Sequence, residues 1–187
     1  MRHFSFKPTL TMRGRKFKGL RGWAGKPLHP PLTDIPIGAY LLALGLDIIS
    51  VIGRKEDWGQ EFFRAGTYVF IGGLIVSVFA ALTGWWDWLK SSEAGTQARR
   101  TINAHAAIMI VVTLLAVLNV ILRLADYDTR GCPTPFNFVV TVLVALLVSV
   151  GASYGGTMVF DYGFNVETAG DSPVWHKNEE DVLPGQK

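Results

Sequence analysis

The chain has 187 residues, 49% hydrophobic and 18% charged, with a mean hydropathy of +0.28 and a formal net charge of +3. So little polar surface cannot cover a soluble core of this size, which excludes an ordinary soluble domain and points to a membrane protein. One cysteine, Cys132, excludes an internal disulfide and a thiolate metal cluster.

Residues 1–26 are basic and Gly-rich, with Arg2, Lys7, Arg13, Arg15, Lys16, Lys18, Arg21 and Lys26 and no apolar run. Neither a secretory leader nor a Ser-rich amphipathic presequence fits them, so the spans themselves are expected to direct insertion. Such juxtamembrane cations meet anionic lipid headgroups, and nucleic acid is not an expected partner. The stretch "KPLHPPLTDIPIGAY", residues 26–40, comes next. Pro27, Pro30 and Pro31 are expected to hold a stiff extended loop that aims His29. Thr33 or Asp34 is expected to cap the first span, with Pro36 tolerated in its first turn.

Four apolar segments follow, at about 35–52, 66–88, 103–122 and 136–156. Each comes close to the roughly 20 residues that cross a hydrocarbon core of ~30 Å. The expected fold is all-α: an integral membrane four-helix bundle with extended polar tails. Residues 1–32 form the N-terminal tail and Pro-rich loop, 33–160 the four-span domain, and 161–187 the C-terminal tail. Lys and Arg are richest before span 1, which predicts both termini in the cytoplasm of a bacterial inner membrane. Small-residue stripes at Asp34, Gly38 and Gly45 on span 1, and at Gly73, Ala80, Gly84 and Asp87 on span 2, predict close helix approach there.

The polar residues converge on one membrane face. His29 and Asp34 precede span 1, Asp87 ends span 2, Asn103 and His105 open span 3, and Gly155 and Gly156 close span 4. Ionisable groups are costly in a bilayer and tend to mark function. Two readings of the histidines stand side by side. They bond other helix ends as a neutral clamp, or they are the two axial ligands of a b-type haem, with iron the only metal involved. Asp47 and Asn119 form a candidate intramembrane polar pair in the other half, either a structural contact or part of a proton path. No Ser/His/Asp triad, phosphate-binding glycine loop or HExxH pair occurs, so hydrolase and nucleotide-dependent chemistry have no carrier, and no nucleotide is an expected partner.

At "PLHPPLTDIPIG", "LTGWWDW", "NAHAAIMI" and "GGTMVFDYGFNV" the chain resembles a bacterial membrane-protein family catalogued as domain of unknown function 2231, from about residue 25 to 166. The family's motifs fall on His29, Pro30, Asp34, Pro36, Gly38, Asp87, His105, Gly155 and Gly156. Relatives commonly carry a second histidine where this chain has Lys26, so a ligand at that position would be lost here. Some relatives are fused to Rieske-type iron–sulfur domains, which implies electron transfer.

Three functions follow as expectations. The first is a membrane subunit of an electron-transfer complex, without independent catalytic activity, binding haem b through His29 and His105. The second is a cofactor-free structural or assembly subunit whose tails clamp partner chains. The third is a small transporter or proton path through Asp47. The first two require other membrane-protein subunits as partners, and all three require lipid.

Overall fold

Four helices run through the described residues of the computed structural model, which are 20, 27–90 and 94–164: α1 (His29–Ile52), α2 (Asp57–Lys90), α3 (Gln97–Asp126) and α4 (Pro135–Phe160). The expected tail-mediated contacts lie outside the described residues. All four helices are long and apolar enough to cross a membrane. The fold is the all-α four-helix bundle read from the sequence. Each helix packs on its chain neighbours, and α4 closes the ring against α1.

The buried positions explain the packing. On α1 they are Pro36, Tyr40, Ala43, Asp47 and Ser50. On α2 they include Phe63, Gly66, Phe70, Gly73, Ser77, Ala80 and Asp87. These steps alternate four and three, and α3 (Val112, Ala116, Asn119, Arg123) and α4 (Asn137, Thr141, Val144, Val148, Gly151) repeat them. A repeat averaging 3.5 residues keeps one seam facing inward on helices that supercoil left-handedly. The middle of that seam is apolar: Tyr40, Ala43, Phe70, Val112, Ala116, Val140, Val144 and Val148 form one cluster. Most other leucines, isoleucines and valines face outward, as lipid requires.

Three local expectations are corrected. The Pro-rich stretch is not an extended loop: α1 begins at His29, with Pro30 and Pro31 inside its first turn, where a missing N–H removes no helical bond. Neither Thr33 nor Asp34 caps that helix, and Pro36 lies inside it instead of in its first turn, since Leu28 is the N-cap and Thr33 donates to the Pro30 carbonyl at 2.7 Å. The Asp34–Gly38–Gly45 stripe does not face a neighbouring helix, for a Cβ added at Gly38 or Gly45 meets nothing within 4 Å. The α2 stripe does pack: a Cβ on Gly73 would lie 2.7 Å from the Cβ of Ala39.

Polar caps set the other boundaries. Thr96 and Thr134 each accept from the backbone N–H three residues on, at 3.1 Å, and so start α3 and α4. The α1–α2 turn is tight enough that a Cβ on Gly59 would fall 2.2 Å from the Gly53 carbonyl oxygen, so only glycine fits. These boundaries leave a polar layer on either side of the apolar seam, called below the histidine end and the arginine end.

Candidate functional site

At the histidine end the first residue of α1 and the third turn of α3 meet across the bundle. The rings of His29 and His105 lie 6.4 Å apart centre to centre, with their planes at 83°. His29 Nδ1 sits 2.9 Å from the Ala80 carbonyl of α2, and His105 Nδ1 sits 2.8 Å from the Gly151 carbonyl of α4. A carbonyl only accepts, so both rings carry their proton on Nδ1 when neutral. Each Nε2 then holds a lone pair, and among the described residues neither has a hydrogen-bond partner. Thr83, 3.4 Å from His29 Nδ1, also donates to the Ala80 carbonyl at 3.0 Å.

Glycines make this arrangement fit. A Cβ on Gly84 would lie 2.6 Å from His29 Cε1, so α2 must present a bare backbone to the imidazole. Opposite, a Cβ on Gly155 would lie 3.5 Å from His105 Cε1, an ordinary contact. Gly156 approaches neither histidine, and its nearest neighbour is Phe160.

The two rings border a cavity of about 600 Å³ lined by all four helices. Its walls are mostly apolar, with Ile37, Met109, Val112 and Met158 among them, and Asp34 and Asp87 also line it. Tyr40 and Ser77, hydrogen-bonded to each other at 3.3 Å, line its deep part. From His29 to Tyr40 is eleven steps along α1, or about 16 Å. This volume lies within the ~300–1,000 Å³ typical of small-molecule sites.

The remaining residues expected at this end serve its edges. Asp34 is exposed, while Asp87 is 5% exposed and accepts from the Leu20 backbone N–H at 2.9 Å, which ties Leu20 to the end of α2. Asn103 accepts from Trp88 Nε1 at 2.7 Å and joins α2 to α3. The Arg99 guanidinium lies 5.5 Å over the Trp88 ring and donates to the Trp88 carbonyl at 2.8 Å. Ile102, Met158 and Phe164, with Trp88 against them, form a small apolar cluster beside the cavity. No cluster of three or more metal-ligating side chains occurs among the described residues.

The arginine end holds the second expected pair in a form the sequence reading missed. Asp47 and Asn119 are both fully buried, but what joins them is Arg123, also fully buried. Arg123 forms an ion pair with Asp47 and donates through Nε to Asn119 Oδ1 at 2.6 Å. It also donates to Thr141 at 3.1 Å and Thr67 at 3.4 Å, and lies over the rings of Phe70 and Phe63 at 5.1 and 5.7 Å. Asn119 donates onward to Thr141 at 2.9 Å and to the Asn137 carbonyl at 3.3 Å. The available signal was spacing: Asn119 and Arg123 stand four apart on one helix face, with Arg123 just past the point where hydropathy closes the span.

Fold and buried chemistry together define a four-helix membrane protein with a polar layer at one end and an apolar, histidine-bordered cavity at the other. The chain belongs to the family described as predicted membrane protein (DUF2231), whose model matches residues 25–168. No curated protein and no solved structure matches it.

Proposed function

We propose that this chain is an electron-transfer subunit of a bacterial inner-membrane complex, holding one b-type haem between His29 and His105, with both termini cytoplasmic and partner subunits bound through its tails. The observation that carries the reading is the paired imidazoles. Were both Nε2 atoms to face one iron at about 2.0 Å, the ring centres would stand about 6.3 Å apart. The rings of His29 and His105 stand at 6.4 Å. Both Nδ1 atoms are already held by backbone carbonyls. A bond of this kind from Nδ1–H to a carbonyl fixes a ligating histidine's tautomer and raises its basicity.

The adjoining cavity supplies an apolar volume for the ring, and exclusion of water there would tune its potential. A haem held by His29 and His105 would supply one-electron transfer there, with the two imidazoles as the residues that hold it. A proton path through Asp47 is less well supported, because the apolar cluster around Phe70, Val112 and Val144 separates Asp47 from the cavity. The clamp reading draws on the same two carbonyl bonds, which by themselves tie α1 to α2 and α3 to α4.

The test is the absorption spectrum of full-length protein produced with ample haem, oxidised and then reduced with dithionite. A Soret band with sharp α-bands is expected, at one haem per chain. Ring planes held at 83° also predict a strongly anisotropic low-spin ferric resonance, because perpendicular ligands leave two iron orbitals nearly degenerate. A featureless visible spectrum from folded, haem-supplied protein would reject the haem and leave the clamp.

A further inference from the structure

The arginine end contains more polar atoms than protein partners for them. Among the described residues, Asp47 Oδ1 and both side-chain atoms of Asn137, Nδ2 and Oδ1, are buried without a hydrogen-bond partner. Asp47 and Asn137 are both 0% exposed. They belong to one layer: Arg123 bonds both Asp47 and Thr141, and Thr141 donates to the Asn137 carbonyl at 3.1 Å. A buried carboxylate oxygen and a whole buried amide are rarely left unmet in a folded protein, and least of all within a bilayer.

The chemistry of the orphan atoms selects what meets them. Two accept hydrogen bonds and one donates. A bare cation could take Asp47 Oδ1 and Asn137 Oδ1, but it would strand the amide donor and stand against the Arg123 guanidinium on the same carboxylate. A bare anion would face that carboxylate. A small neutral molecule that both donates and accepts can meet each of these atoms without leaving a charge unmatched. The helices approach closely beside the pair at Gly66. A Cβ there would lie 3.3 Å from Asp47 Oδ1 and 3.6 Å from Arg123 Nη1, so a side chain at position 66 would crowd both. We infer that the Asp47–Arg123–Asn137 layer is a hydration site holding one or more bound waters as part of the fold. Buried waters of this kind make about three bonds to otherwise unmet groups.

The inference is independent of any haem and is tested on the full-length wild-type protein. A map at a resolution that resolves waters should show density about 2.7–3.2 Å from Asp47 Oδ1 and from the Asn137 amide. The unfolding midpoint in detergent should be the same in sodium, potassium and choline chloride at equal ionic strength. Gly66→Ala, which puts a methyl group 3.3 Å from Asp47 Oδ1 and crowds that oxygen, should weaken the density there while that beside the Asn137 amide persists. Asp47 Oδ1 and the Asn137 amide bonded only to protein atoms in that map would overturn the inference. A midpoint that rises with sodium or potassium but not choline would overturn it too, by showing a cation site.

Discussion

At the arginine end, a guanidinium from α3 is bonded by side chains of α1, α2, α3 and α4, and its polar groups point at one another. At the histidine end, two imidazoles have one nitrogen each fixed by a backbone carbonyl, while the other nitrogen has no bond among the described residues beside a cavity of about 600 Å³. Both ends carry ionisable groups into an apolar bundle, so both must offset a desolvation cost. The first does so mainly by pairing a guanidinium with a carboxylate and with side chains of every helix, which is how a protein builds a structural staple. The second leaves acceptor capacity over an open volume, which is how a protein builds a site. Burial alone would rank the arginine end as the more functional, whereas free acceptor capacity beside a cavity ranks the histidine end first.

The largest effect should come from breaking the staple. Arg123→Leu strands the Asp47 carboxylate inside the bundle without its countercharge, and removing one partner of a buried pair costs about 3–5 kcal/mol. Unfolding titrations in mixed micelles should register that loss. Adding Asp47→Leu to the same protein should recover most of it, because no charge is then left unmatched. A single variant within about 1 kcal/mol of wild type would mean that water or lipid headgroups reach this layer freely.

The next contrast lies at the histidine end, between two glycines. Gly84→Ala places a methyl group 2.6 Å from the His29 ring and must displace it, whereas Gly155→Ala places one at 3.5 Å from His105. Overpacking of this kind costs about 1–3 kcal/mol. The relaxed site instead gains up to about 1 kcal/mol from the better helix former. In haem-loaded protein the Gly84 variant should lose cofactor and the Gly155 variant should keep it. Equal behaviour of the two would show that His29 is not held where the bundle places it.

His105→Ala sharpens the comparison further. It removes a single hydrogen bond to Gly151, about 0.5–1.5 kcal/mol in general, but it should abolish the haem spectrum entirely. A small stability change with complete spectral loss separates a site from a staple. A large stability change in a protein that never had a spectrum assigns the histidine to the clamp.

Much of this was legible in the sequence, for identifiable reasons. Four spans and a shared polar face at His29, Asp87 and His105 follow from hydropathy and from the parity of the spans, which needs no tertiary detail. Arg123 escaped because a hydropathy window ends where a charge appears, and the charge was taken as the border of span 3 instead of part of its buried face. The same bias placed the start of span 2 at residue 66, whereas α2 begins at Asp57. Helical bonding continues through polar residues such as Gln60, Glu61 and Arg64 once the turn has formed. The proline run misled in the opposite direction: proline breaks a helix interior but fits its first turn, and sequence alone did not say which turn His29 occupied. The α1 glycines failed as packing signals because small residues permit close approach without requiring it.

The smallest effect tests whether the edges of the cavity matter to its contents. Trp88 Nε1 donates to Asn103 Oδ1 at 2.7 Å, yet Asn103 is exposed, so water can replace it. Polar contacts between membrane helices average about 0.6 kcal/mol, and an exposed one should fall at or below that value. Asn103→Ala is therefore expected to leave the unfolding midpoint almost unchanged. Its effect should appear in Trp88, which also lies against Arg99 and lines the cavity. Freed from Asn103, the indole can turn, and tryptophan fluorescence should shift while a haem spectrum persists. Loss of the spectrum in this variant would mean that the α2–α3 junction positions the imidazoles. The cavity would then be a site shaped by its rim, and the comparison between a closed end and an open one would have to include the helix junction as a third part.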